Sequence, residues 1–94
     1  MMQTIYKYPC MLNVSVPKGA VILSVGYQPM SGIVFWALVD LSKSVVKRSV
    51  VAYPTGVSMP DVVGVFVGTV QMHADDEELV FHVFDYGEGE QEIH

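Results

Sequence analysis

Chemistry-bearing residues are scarce in this chain. Cys10 is the single cysteine among 94 residues, which excludes an intrachain disulfide and a cysteine zinc cluster and points to a reducing compartment. Charged residues make up only 16% of the sequence. The longest basic run is the pair Lys47-Arg48, and a formal net charge of −5 opposes a phosphate backbone, so direct nucleic-acid binding is not expected. No uninterrupted apolar stretch approaches the roughly 20 residues that a membrane-spanning helix needs. The opening MMQTIYKYP lacks the basic region and long apolar run of a secretory signal. The expected location is therefore cytoplasmic, with no membrane partner.

Apolar side chains are abundant, at 51% of the residues. A chain of this length is one small domain, near the lower size at which a single core suffices without a staple. The acids are unevenly placed. Asp75, Asp76, Glu77, Glu78, Asp85, Glu88, Glu90 and Glu92 lie near the C-terminus, and every Lys and Arg precedes them. This pattern predicts one β domain over residues 1–86 followed by an acidic tail over 87–94, with His94 incidental at its end.

Seven segments rich in β-branched and aromatic residues read as strands: TIYKY, LNVSV, AVILSVGY, IVFWALV, VVKRSVVAY, VVGVFVGTVQMH and ELVFHVFDY. Pro- and Gly-containing turns separate them, and only residues 40–46 have room for a helical turn. Short connections favour antiparallel pairing. The expected fold is an all-β small antiparallel sandwich or barrel of about seven strands, with Leu23, Val25, Phe35, Ala37, Val70, Met72, Phe81 and Val83 largely buried. Residues 33–40 are apolar on both faces, as expected of a central strand whose second face is covered by another copy. Gly64 and Gly68 read as places where the sheet bends or packs closely.

The cluster His73, Asp75, Asp76, Glu77, Glu78, His82 and Asp85 raises the question of a metal site. A hairpin loop of two or four residues opposes Met72 to Leu79, Val70 to Phe81 and Gly68 to Val83 on one face. On the other it opposes His73 to Glu78, Gln71 to Val80, Thr69 to His82 and Val67 to Phe84. His73 and His82 then stand roughly 13 Å apart along the ribbon, too far for one ion. No metal and no cofactor are expected. His82 reads as a hydrogen-bonded sheet histidine, the acidic run as a solvated turn, and Cys10 as a packed thiol. No Gly-x-Ser-x-Gly elbow and no phosphate-loop signature occurs, so the chain is not expected to be an enzyme.

Where cations stand beside aromatics, an anionic small ligand has its best site: Tyr6, Lys7, Tyr8, Lys47 and Arg48, with the turn at Thr55 and Gly56. A protein partner with a basic surface would instead meet Asp75, Asp76, Glu77 and Glu78.

The motifs TIYKYP, PKGAVILSV, FWALVD, GTVQM and LVFHVF, in this order over residues 4–84, resemble a family of small β-domain proteins of unknown function encoded by bacteriophages and prophages. The resemblance implies a phage origin and a small β domain, and it brings no catalytic residues. Similar chains carry Gly-Thr-Gly followed by His and Pro where this one reads YPTGVSMP. Pro54 replaces the first Gly and Val57 stands in place of the His, so a histidine-dependent role of that loop does not carry over.

The expected function is accordingly a non-enzymatic, phage-encoded binding protein that inhibits or sequesters a host component in the infected cell. The target would be a defence effector, a CRISPR complex or a nucleotide immune signal. The alternative is a virion or assembly accessory protein. The apolar surplus and the two-faced strand at residues 33–40 predict a homodimer or higher homo-oligomer. Light scattering at micromolar concentration is expected to give at least twice the chain mass across ordinary salt; a monomer mass would contradict the reading.

Overall fold

A computed structural model describes residues 2–61 and 63–92. His94, and Val62 at the start of the sixth expected strand, lie outside the described residues. The described chain is all β, with β1 (Gln3–Pro9), β2 (Val14–Pro17), β3 (Val21–Gln28), β4 (Gly32–Asp40), β5 (Val45–Pro54), β6 (Val65–Ala74) and β7 (Glu77–Glu88). Two antiparallel sheets of order β1-β4-β3 and β2-β5-β7-β6 pack as a small sandwich. Among the described residues no helix is long and apolar enough to cross a membrane. At residues 40–42 the chain makes a side-chain-capped turn instead of a helical one. The Asp40 carboxylate accepts from the Ser42 hydroxyl at 2.6 Å, the Ser42 N–H at 3.0 Å and the Met2 N–H at 3.1 Å. These bonds hold its pKa down to about 2.

Strand alternation builds the interior. Phe35, Ala37 and Val39 from β4 meet Val16, Val50, Val70 and Val83 from the larger sheet, all nearly solvent-free. β5 and β6 both run antiparallel to β7, so they are parallel to each other with β7 between them. β5 and β6 are therefore joined by a crossover past β7, a step that pairing of successive strands does not foresee. At the end of that crossing a Cβ on Gly64 would run into the Asp85 carbonyl oxygen. Only glycine fits this approach.

Three bulges interrupt the ladders, at Leu23 in β3, at Val67 in β6, and in β7, where Tyr86 and Gly87 together oppose Ser49 of β5. In β3 the core positions are Ile22 opposite Ala37 and Val25 opposite Phe35. The extra residue between them is Leu23, which is expelled to 50% exposure although the alternation predicts it buried. Met72 and Phe81 point to the core side but are only half-buried, because the β6–β7 hairpin runs past the end of β5. The outward face of β4 is partly covered within the chain: Val34 is 2% exposed, and Trp36 lies across Gly26, where a Cβ would meet its ring at 3.2 Å.

The boundary drawn after residue 86 falls inside β7, which continues to Glu88. Beyond it Gly89 donates to the Lys47 carbonyl at 2.8 Å. The Asn13 amide brackets Gln91, accepting its N–H at 2.9 Å and donating to its carbonyl at 3.1 Å. Asn13 adopts a φ of 56°, which Asn tolerates better than most side chains. Its own N–H satisfies the buried Ser49 hydroxyl at 2.9 Å.

The packing sets two contrasting expectations. Phe35→Ala removes a solvent-free ring and is expected to cost about 3–5 kcal/mol, whereas Leu23→Ala is expected to cost less than about 1 kcal/mol. Urea titration of both variants checks this; equal losses would contradict the bulge assignment.

Candidate functional site

The residues read as an anion site are distributed over three places. Alternation on β1 turns Tyr6 and Tyr8 toward the core side, opposite Ala37 and Phe35, and Lys7 to the other face, opposite Trp36. Tyr8 stacks on Phe35 with ring centroids 5.3 Å apart, and Tyr6 meets Tyr8 edge-on at 6.4 Å. Burial, and then the neighbouring Tyr6, push the Tyr8 pKa up. Lys7 donates to the Gln28 side chain at 2.7 Å and reaches the Ser31 hydroxyl at 3.4 Å. Lys47 and Arg48 belong to the other sheet, where Lys47 donates to the Ser15 hydroxyl at 2.8 Å. Thr55 and Gly56 follow the far end of β5. The structure brings Tyr6 and Tyr8 together and leaves the cations apart from them.

Arg48 is the most committed of these side chains. It grips Asp85 with two bonds, Nη2 to Oδ2 at 2.6 Å and Nε to Oδ1 at 3.1 Å, and Nη1 donates to the Ala20 carbonyl at 2.6 Å. Asp85 also accepts the Gly87 N–H at 2.9 Å. Burial pushes the Asp85 carboxyl up, but the Arg48 hydrogen bonds, the Gly87 N–H and the Arg48 charge outweigh it, and the pKa lies below the ordinary aspartate value. The pair sits in a cleft of about 460 Å³ between the edges of β3 and β6, walled by residues 20–23 and 65–67. Farther along, the two edges close, where a Cβ on Gly68 would lie 3.0 Å from Val25. With the guanidinium turned to Asp85 and Ala20, the cleft offers an arriving anion an ion pair already satisfied.

His82 lies on the opposite face of β7 from Val83, between two hydroxyls. Thr55 Oγ1 is 2.8 Å from Nε2 and Thr69 Oγ1 is 3.2 Å from Nδ1. Its place opposite Thr69 follows from the hairpin register, whereas the Thr55 contact needs the β5–β7 pairing that sequence spacing does not reveal. The same face carries an aromatic group: Phe84 meets Tyr53 and Phe66 edge-on at 6.1 and 5.6 Å, and the Tyr53 and Tyr86 hydroxyls share a 2.5 Å hydrogen bond. Burial and then this bond push the Tyr53 pKa up. Burial likewise pushes the Cys10 thiol up to about 12, which leaves little thiolate for nucleophilic chemistry.

The hairpin tip has the expected form. Asp75 and Asp76 take positive φ, 48° and 64°, as a two-residue type I′ turn requires. Every pair read from Met72–Leu79 through Gly68–Val83, including His73–Glu78 and Thr69–His82, is observed. Only the last pair differs: the bulge at Val67 places Phe66, not Val67, opposite Phe84. His73 and His82 thus stay separated along the ribbon. Among the described residues no three His, Cys, Asp or Glu side chains gather as a metal site.

A family model for a domain of unknown function, DUF7352, matches residues 1–94. The chain belongs to that family. Comparisons with the curated proteins and with the solved structures give no match. For this DUF7352 chain the chemistry therefore has to be read from its own geometry.

Breaking the Arg48–Asp85 pair leaves a charge in a mostly buried place, since the two side chains are only 14% and 15% exposed. Arg48→Ala is expected to cost about 3 kcal/mol, the low end for a buried pair because some water still reaches it. Asp85 has a folded pKa below its unfolded value, so its contribution is present above about pH 4 and fades as pH falls through the folded value. The stability difference between parent and Asp85→Asn is expected to narrow from pH 6 toward about pH 2. Denaturant titrations along that range check the sign; a difference that widens in acid would contradict it.

Proposed function

We propose that this protein is a non-catalytic, phage-encoded binding module that works in the cytoplasm of the infected host and inhibits or sequesters a host protein with a basic surface. The β6–β7 hairpin tip carries the reading. Its two-residue I′ turn holds Asp75, Asp76, Glu77 and Glu78 exposed at the end of a ribbon that outruns β5. Among the described residues these carboxylates have no cationic partner. Such a group steers and selects a cationic partner, because like-charged surfaces are repelled.

The scattered and already bonded cations favour a protein over an anionic small molecule. Lys7, Lys47 and Arg48 do not converge, and each holds a neighbour of its own. The five ordered motifs shared with phage and prophage proteins support the phage origin. The lack of a nucleophile–base pattern in the sequence supports a binding role over a catalytic one.

Capture from host lysate tests the proposal. The parent protein is expected to retain a basic host protein that a fourfold neutral variant, Asp75→Asn, Asp76→Asn, Glu77→Gln and Glu78→Gln, retains about ten-fold less well. Lys7→Ala with Lys47→Ala is expected to leave capture unchanged. Undiminished capture by the neutral variant would overturn the reading.

A further inference from the structure

We infer that the free edge of β7 at residues 77–80 is a strand-addition site for an extended partner segment in which basic and apolar side chains alternate. The inference rests on the binding-module reading above and specifies how the partner is held.

β5 stops at Pro54, opposite Phe81, and the last bond across to it runs from the Thr55 N–H to the Val80 carbonyl at 3.0 Å. A turn closed by Val57 N–H to the Pro54 carbonyl at 3.4 Å then ends the strand. On its other side β7 stays paired with β6 down to Glu77 opposite Ala74. Residues 77–79 therefore have a neighbouring strand on one side only.

In an antiparallel strand the N–H and C=O of one residue point the same way and alternate from residue to residue. The Val80 carbonyl points into the lane of β5, so the Glu78 N–H and C=O, two residues away, point there too. Among the described residues no backbone group across that lane meets them. An incoming strand in the lane that β5 vacates would take up both.

A hollow of about 230 Å³ lies at the same step, lined by Pro54, Thr55, Glu78, Leu79, Val80 and Phe81. It is large enough for one apolar side chain. Leu79 and Phe81 share one face of β7, and Glu78 projects from the other. The strand that fits would place an apolar residue over Leu79 and Phe81 and a cation beside Glu78, with Asp75, Asp76 and Glu77 at its end. Main-chain bonds then supply attachment, and the alternating side chains supply selection.

A short peptide of alternating lysine and leucine, and the same peptide N-methylated on alternate amides, serve as probes for calorimetry and amide chemical-shift mapping. The plain peptide is expected to bind and to shift the amides of residues 77–81 and Thr55. The N-methylated peptide is expected to bind about ten-fold more weakly, because it keeps the charge and loses the ladder. Compared with Glu78→Gln, which removes the same charge and keeps the N–H, Glu78→Pro removes the outward N–H without touching a β6 bond and is expected to bind the plain peptide about ten-fold more weakly. Should that variant not fold, the N-methylated peptide on the parent protein still decides. Equal affinity for both peptides, or no binding of either, overturns strand addition. If capture of a host protein depends on the carboxylates while Glu78→Pro captures normally, the binding-module reading stands and the strand-addition mode falls.

Discussion

The bidentate pair between Arg48 and Asp85 bridges the two sheets at the cleft between the edges of β3 and β6. The edges of β3 and β6 touch at Val25 and Gly68 and then part, leaving a cleft whose floor the ion pair occupies. One guanidinium there joins β5 to β7 and, through the Ala20 carbonyl, to the entrance of β3. The two sheets are thus linked by a charge-assisted fork at the point where apolar packing runs out. The fork is compatible with burial only because nearly every polar atom in it is satisfied, including the Asp85 oxygen that accepts Gly87.

The irregularities of the ladder serve this arrangement. The β7 bulge at Tyr86 and Gly87 lies opposite Ser49, next to Arg48, and the buried Ser49 hydroxyl is taken by Asn13. Asn13 in turn clasps Gln91 and so fastens the segment after β7 to the sheet. Of the stretch that composition alone assigns to a tail, Gly89 is held by the Lys47 carbonyl and Gln91 by the Asn13 side chain. Within it the Glu88 carboxylate accepts the Gly19 N–H at 2.5 Å.

Charge and apolar surface divide the functional possibilities in the same way. Cations are few, with Lys7, Lys47 and Arg48 locally bonded, and four of the ten acids gather at one projecting turn. Both central residues of that turn occupy left-handed conformations in a two-residue loop. Among the described residues the anionic tip has no cationic partner, and it stands beside the edge that β5 leaves open.

Local patterns determined the strands, their antiparallel sense and most of the β6–β7 register. Side-chain alternation has a period of two, and a short turn leaves few ways to pair its flanks. The same patterns placed Phe35, Ala37, Val70 and Val83 in the core, His82 beside Thr69, and close approaches at Gly64 and Gly68. Tertiary structure alone decided that β7 inserts between β5 and β6, that Arg48 meets Asp85, and that Thr55 reaches His82. It also decided that Leu23 is expelled by a bulge, and that the tyrosines and lysines of the supposed anion site part company. Each of these depends on pairing between strands distant in sequence, or on one extra residue that reverses the alternation. Neither leaves a mark in local spacing, because both are settled by how two twisted sheets fit face to face.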